Sequence, residues 1–494
     1  MTTRAILMLG AAAGLAACSF EPHYVRPAAP VPVSWPQGDA YLTQSEAALP
    51  SVDYRQVFTD PRLQQIIAQA LRNNRDLRVA VADIAQARAA YRIQRADLFP
   101  QIDATGQASF RGGGARSVGT GTGGASGSSA SHVYTADVGT SAFEIDLFGR
   151  VRSLNHAALD RYFATEAGAR ATRLSLVSEI ASAWLTYAAD KSLLKIAEDT
   201  VASAQKSVDL TRARLEGGIA PRTDLRQAQT VLDTAQSDAA QQRTFLAQDV
   251  NALQLLVGAP IDAALLPESI EQVVPTLHEI PAGLDSSILL RRPDVVEAEY
   301  QLRAANAQIG AARAALFPRI SLTGLAGFAS TALGSLFTGD AFTWSVSPSV
   351  SYPIFRAGAG RATVAQSKAA RDAAVATYEK AIQSAFRDVA DALARRGTID
   401  AQVTADRNNV AHSLDNYRLS DARYRGGIDT FLSSLDAQRT LYGAQRNYVS
   451  TELAKATNLV DLYTALGGDA TLDATANGPK PSAPEPEGSP IPNP

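Results

Sequence analysis

Six apolar residues, Ile180, Tyr187, Leu194, Val201, Val208 and Leu215, stand seven positions apart without interruption. Such a repeat keeps one seam of a helix turned toward a partner, as in a coiled coil. Gly217-Gly218 ends that helix, Pro221 opens the next, and a helical pattern resumes at Thr223-Asp224-Leu225. The stretch predicts a helical hairpin with a sharp tip. Its first arm, from near Val151 to Leu215, is about 100 Å long at about 1.5 Å per residue. The second arm, Thr223 to Leu256, is about half as long. The uncovered half needs helices from elsewhere in the chain or from another subunit.

The hairpin occurs twice. A shift of 209 positions carries Ile180 to Val389, Leu194 to Val403, Val201 to Val410, Val208 to Tyr417 and Leu215 to Tyr424. Only Arg396, in the place of Tyr187, breaks the seam. The tip Gly217-Gly218-Ile219 returns as Gly426-Gly427-Ile428, and Ala228-Gln229 and Ala235-Gln236 return as Ala437-Gln438 and Ala444-Gln445. A gapless match of this length marks an internal duplication.

Helices and turns flank each hairpin in the same order. Asp60-Pro61 offers an N-cap and a first-turn proline to a helix that reaches Leu98-Phe99-Pro100, with a break near Asn73-Asn74. Its copy runs from Arg292-Pro293-Asp294 to Leu316-Phe317-Pro318, displaced by 218. Beyond each Phe-Pro the apolar period falls to about two. Phe342, Trp344, Val346, Val350, Tyr352 and Ile354 alternate with Thr343, Ser345, Ser347, Ser349 and Ser351. Apolar residues on one face and small polar ones on the other make a membrane β-strand pattern. Pro348 falls on the apolar face and counts against the strand unless a bulge holds it. Ile320 to Phe328 alternates more weakly, and Gln101 to Phe110 and Tyr134 to Leu147 hold the same places in the first copy. The loop Arg111 to Ser131 is nearly all Gly, Ser, Thr and Ala and is expected to be flexible.

The two ends of the chain differ from this body. Residues 1–17 carry Arg4, an apolar run and small residues, the pattern of a secretory signal. The sole cysteine, Cys18, follows Leu15-Ala16-Ala17, which resembles a bacterial lipobox. That resemblance implies an acylated Cys18 and, with Ser19 after it, sorting to the outer membrane. Residues 18–59 read as a lipidated, extended Pro/Ala strap, 60–283 as the first repeat and 284–467 as the second. The Pro-rich tail, 468–494, is expected to be disordered. The fold class is mixed and mainly α.

Four membrane strands cannot close a sheet alone, and an open edge in lipid leaves backbone groups unpaired. Two chains would supply eight strands and three would supply twelve. Only the wider barrel leaves a lumen. The small polar face suits a water-filled one, so a homotrimer is expected.

Taken in order, these pieces resemble the TolC-like outer-membrane efflux proteins of the lipoprotein branch that serves tripartite pumps. The specific pieces are the lipobox with Tyr24-Val25-Arg26-Pro27, the two Leu-Phe-Pro segments and Phe148-Gly149-Arg150. To these are added the twin Gly-Gly-Ile tips, Leu435-Asp436-Ala437-Gln438-Arg439, and Leu462-Tyr463-Thr464-Ala465-Leu466-Gly467-Gly468. The resemblance implies a trimer whose 12-stranded barrel lies in the outer membrane and continues into a 12-helix periplasmic tunnel. It implies that the tips, Gly217, Gly218, Ile219, Gly426, Gly427 and Ile428, touch a periplasmic adaptor that works with an inner-membrane pump.

Leu432, Asp436 and Arg439 are four and three positions apart and share one helix face beyond the second tip. On motif-free grounds they would be a core leucine and a solvated ion pair. The resemblance instead implies a constriction: an apolar ring of Leu432 and a charged ring of Asp436, offset by Arg439. Asp224 takes a position that ties the tips shut.

Net charge is −3 with 19% charged residues, so no basic surface points to nucleic acid. The five histidines, His23, His132, His156, His278 and His412, lack zinc-site spacing, and Gly358-Ala359-Gly360 lacks the third glycine of a dinucleotide turn. No enzyme and no cofactor are expected. The alternatives are a channel for protein export or metal efflux, or a pore-less coiled-coil lipoprotein.

Overall fold

The computed structural model describes residues 19–41, 53–112, 130–280 and 285–482. Cys18, the body of the Gly/Ser loop and the tail beyond Ser482 lie outside the described residues. The chain forms two units. The first comprises the described parts of Met1–Pro27, Ala85–Tyr162 and Tyr300–Ala376; the second holds the remainder.

The labelled elements are α1 (Pro61–Asn73), α2 (Arg75–Ala96), β1 (Asp103–Gly112), β2 (Ala130–Glu144), α3 (Arg150–Glu216) and α4 (Arg222–Val257). The second half gives α5 (Pro293–Ala314), β3 (Arg319–Ser330), β4 (Phe342–Ser351), α6 (Ala359–Arg425) and α7 (Phe431–Ala465), with a final hairpin of β5 (Leu472–Thr475) and β6 (Gly478–Pro481). The duplication shows in the lengths. Helices α3 and α6 have 67 residues each, and their first residues, Arg150 and Ala359, are related by the same shift as the seam. Helices α2 and α5 have 22 each.

The first unit contains an antiparallel sheet in the order β1-β2-β3-β4. Its register puts Ala104, Val138, Ala326 and Trp344 in one transverse row, flanked by Phe328 opposite Phe342 and Ile320 opposite Val350. Thr105, Asp137, Gly327 and Thr343 form a row on the other face, where Ser321 and Ser349 share a 2.7 Å hydroxyl contact. Trp344, Val346 and Val350 are exposed. The sheet is therefore two-faced, as the alternation predicts. Pro348 stands opposite Leu322 without a bulge. Within the single chain β4 is an edge strand of this sheet, a position that admits a proline. The one irregularity lies in β2, between Thr140 and Phe143, where Ala142 takes a positive φ of 58°.

In the same unit the strap packs through Phe20 and Tyr24, the latter under the Arg303 guanidinium at 4.9 Å. Phe20 stacks on Phe317 at 4.6 Å between ring centroids, and Phe317 on Phe148 at 4.9 Å. The strap's extended backbone finds side-chain donors: Asn306 Nδ2 donates to the Pro22 carbonyl at 2.7 Å and Arg313 to that of Phe20 at 3.2 Å.

The second unit is helical. Asp60 caps α1 by accepting the Arg62 N–H at 2.8 Å. The expected break falls at Asn74, whose Oδ1 accepts the Leu77 N–H and whose Nδ2 donates to the Leu256 carbonyl. Trp184, fully buried, donates to the Leu265 carbonyl at 3.0 Å. The seam interruption is resolved by charge: Arg396 is buried and ion-paired to Glu279.

The tail expectation is corrected for residues 468–482. Gly467 and Gly468 turn the chain, Leu472 is fully buried, and β5 pairs with β6. Asp469 lies between two buried groups, accepting from Arg173 at 2.7 and 2.9 Å and from the Tyr463 hydroxyl at 3.0 Å. Composition missed this because two turns and one buried carboxylate, not a periodic apolar run, hold the segment.

Candidate gate at the helical tips

Both tips close in the same way. At the first, Gly218 adopts a φ of 73°, the Ile219 N–H reaches back to the Arg214 carbonyl at 2.8 Å and that of Gly218 to Leu215 at 3.0 Å. At the second, Gly427 has a φ of 72°, Ile428 bonds to Arg423 at 2.9 Å and Gly427 to Tyr424 at 3.0 Å. These pairs satisfy the last carbonyls of α3 and α6 through a left-handed glycine. The turn leaves an isoleucine at each apex with no core to enter. Ile219 is 78% exposed and Ile428 68%.

Behind the apices the hairpins join in one small core of Ala204, Val208, Ala228, Leu232, Tyr424, Phe431 and Leu435. Seam residues Val208 and Tyr424 from the two repeats thus meet. Arg214 fastens this core from above. Its guanidinium lies 4.4 Å from the Tyr424 ring centroid and donates to the carbonyls of Tyr424 at 3.1 Å and Arg425 at 2.9 Å. It thereby caps the C-terminal end of α6, where backbone carbonyls lack helical partners and the helix dipole favours a cation.

The sequence-predicted gate residues fall on one exposed face. Leu432 is 60% exposed and Asp436 and Arg439 are exposed, whereas Phe431, Ser434, Leu435, Ala437 and Gln438 are buried. Leu432 is therefore not a core leucine. Among the described residues Asp436 and Arg439 form no ion pair within the chain. Leu432 and Arg439 line an open groove of ≈ 530 Å³ with Val231 and Ala235 of α4 and Tyr442 of α7. Asp224 sits apart from them, half-buried in the first turn of α4, where its charge suits the helix N-terminus. At the far end of the groove Tyr442 donates to Asp238 at 2.7 Å. Burial and that bond push the Tyr442 hydroxyl up to about 12.

The sequence reading did not single out Arg214 or Asp238. A signal for Arg214 exists in the repeat. Its counterpart Arg423 bonds Asp429 at 2.8 Å, and the first repeat has Ala220 where the second has Asp429. Without a local acid, Arg214 reaches across to the other hairpin.

A sequence profile described as outer membrane efflux protein matches residues 66–259 and again 284–468. The chain belongs to that family. The double match mirrors the two repeats. Among similar proteins, the probable efflux pump outer membrane protein TtgC of Pseudomonas putida is 46% identical over 469 residues, covering 94% of this chain and 96% of that one. Outer membrane protein OprJ of Pseudomonas aeruginosa is 39% identical over 454 residues, covering 92% and 93%. The solved open state of the Neisseria gonorrhoeae MtrE outer membrane channel superposes with a TM-score of 0.80 at 35% identity, covering 91% of this chain and 98% of that one. As a member of the family the chain is an outer-membrane efflux channel with a mixed, mainly helical TolC-like fold.

Proposed function

We propose that the chain is the exit duct of a tripartite efflux system, a passive homotrimeric conduit gated at its helical tips. Three copies of the four-stranded sheet would close as a 12-stranded barrel, with β4 of one copy meeting β1 of the next. The long helices would form a 12-helix tunnel. Leu432 and Asp436 from three copies narrow the opening with an apolar ring and a ring of like charge. Arg439 and Asp224 then act between elements or copies. Acylated Cys18 would tether the N-terminus to outer-membrane lipid.

The observation that carries this reading is the pair of bare isoleucines, Ile219 and Ile428, on two matched tips. An exposed apolar apex on a glycine turn suits a partner surface, here a periplasmic adaptor linked to an inner-membrane pump. The pore-less spacer leaves the two-faced sheet without a purpose. The test is complementation of an efflux-deficient strain with Ile219→Arg/Ile428→Arg. Resistance should be lost while the folded, heat-modifiable species persists in the outer membrane; full resistance would rule out the tips as the docking point.

A further inference from the structure

Helices α3, α6 and α7 border an open cavity of ≈ 580 Å³ within the second unit, remote in sequence from the tips. Its buried wall includes Ala392 and Asn458, its half-buried wall Ser178 and Thr464, and its exposed rim Glu179 and Asp461. Ser178 and Thr464 share a 2.5 Å hydroxyl contact.

Asn458 is 3% exposed, and its Nδ2 donates to the Ala392 carbonyl at 3.0 Å. Its Oδ1 is buried with no partner. A buried acceptor without a donor is uncommon, and on a polar cavity wall it marks where a ligand's N–H would sit. Asn458 and Asp461 are three apart on α7 and share a face.

The charge balance gives the sign of that ligand. The lining carries Glu179, Asp388, Asp391 and Asp461 beside the guanidiniums of Arg292 and Arg395, and Arg387 pairs with Asp388 at 2.7 Å and Asp391 at 4.0 Å, which leaves Glu179 and Asp461 to set the sign. Arg292 is already engaged by Asp294 at 2.8 Å, by the Ala465 carbonyl at 2.9 Å and by Asp388 at 3.7 Å. Arg395 donates to Gln402 at 2.9 Å. Among the described residues neither Glu179 nor Asp461 has an ion-pair partner.

We propose that this cavity binds an aliphatic ammonium compound of diamine size. Asn458 Oδ1 and the Ser178 and Thr464 hydroxyls accept from its N–H groups, and Asp461 and Glu179 supply the counter-charge. The volume falls within the range of small-molecule sites, and a bare metal ion would leave most of it to water. Ala392, Val460 and Ala465 give methylenes an apolar surface.

Isothermal titration of the purified full-length protein with 1,4-diaminobutane, at constant ionic strength, tests the site. The expected result is saturable binding that weakens at least tenfold in both Asp461→Asn and Asn458→Ala and is unchanged in Asp199→Asn, whose exposed carboxylate lies outside the cavity. Asp461→Asn is isosteric at an exposed rim, so its loss of binding cannot be assigned to unfolding if the heat-modifiable species is retained. No saturable heat, equal affinity in Asp461→Asn, or complete displacement by equimolar magnesium would each overturn the proposal.

Discussion

At Arg214 and Arg423 the two repeats carry the same residue and use it differently, because Asp429 has no counterpart at Ala220. Arg214 supplies two hydrogen bonds and one ring contact to the opposite hairpin. A charged hydrogen bond of this kind contributes about 1.5–3 kcal/mol where it is shielded from water, and less at a tip. Arg214→Ala is expected to loosen α6 at the tip and raise single-channel conductance in a planar bilayer. Arg214→Lys should behave nearly as the alanine variant, since an ammonium lacks the planar fork that spans two carbonyls. A second residue-scale expectation concerns Asp190 and Asp249, where α3 faces α4. Burial and then the neighbouring charge raise the Asp249 carboxyl to about 7, and Asp190 is raised as well by burial. The folded chain therefore holds more protons than the unfolded chain between the ordinary carboxylate range and about 7, so stability falls as pH rises through that window. Asp249→Asn removes the repulsion. It should raise Tm by about 1–2 °C at alkaline pH, after discounting for solvent screening, and leave Tm unchanged in acid.

The long helices, their tips and the sheet were legible because each is written as a periodic pattern with a stop signal. Seam residues Val208 and Tyr424 meet in one core, and the glycines at the tips take the left-handed conformation the sequence requires. Helical spacing puts Leu432, Asp436 and Arg439 on one face, but spacing alone makes Leu432 a core residue, and only the family resemblance points to the exposed position it takes. What those patterns could not show was pairing between distant segments. Arg396 looked like a seam defect until Glu279 was placed beside it. Residues 468–482 looked like a loose tail because Asp469 and Arg173 are 296 positions apart. That ion pair gives an element-scale prediction. Both side chains are 5% exposed, so removing one strands the other. Asp469→Ala should cost about 3–5 kcal/mol, read as a lowered Tm and faster exchange of amides in β5 and β6. An unchanged Tm would mean that the hairpin packs independently of the buried pair.

For the whole molecule, the sheet and the tips place the same demand on assembly. The sheet has an unpaired strand at each edge, β1 and β4, and an apolar face that includes the exposed Trp344, Val346 and Val350. In lipid both edges require partners, which in the proposed trimer further copies of the same sheet would provide. At the tips, Leu432 and Asp436 are exposed in a single chain, so any constriction they form has to come from association. A gated trimeric duct accounts for both. The most direct test is the ion conductance of the purified protein in a planar bilayer, for wild type beside Leu432→Ala/Asp436→Ala. The account predicts a small wild-type conductance that rises sharply in the double variant. Equal conductance in the two would contradict a gate at these residues, and no conductance from either folded protein would contradict the channel itself.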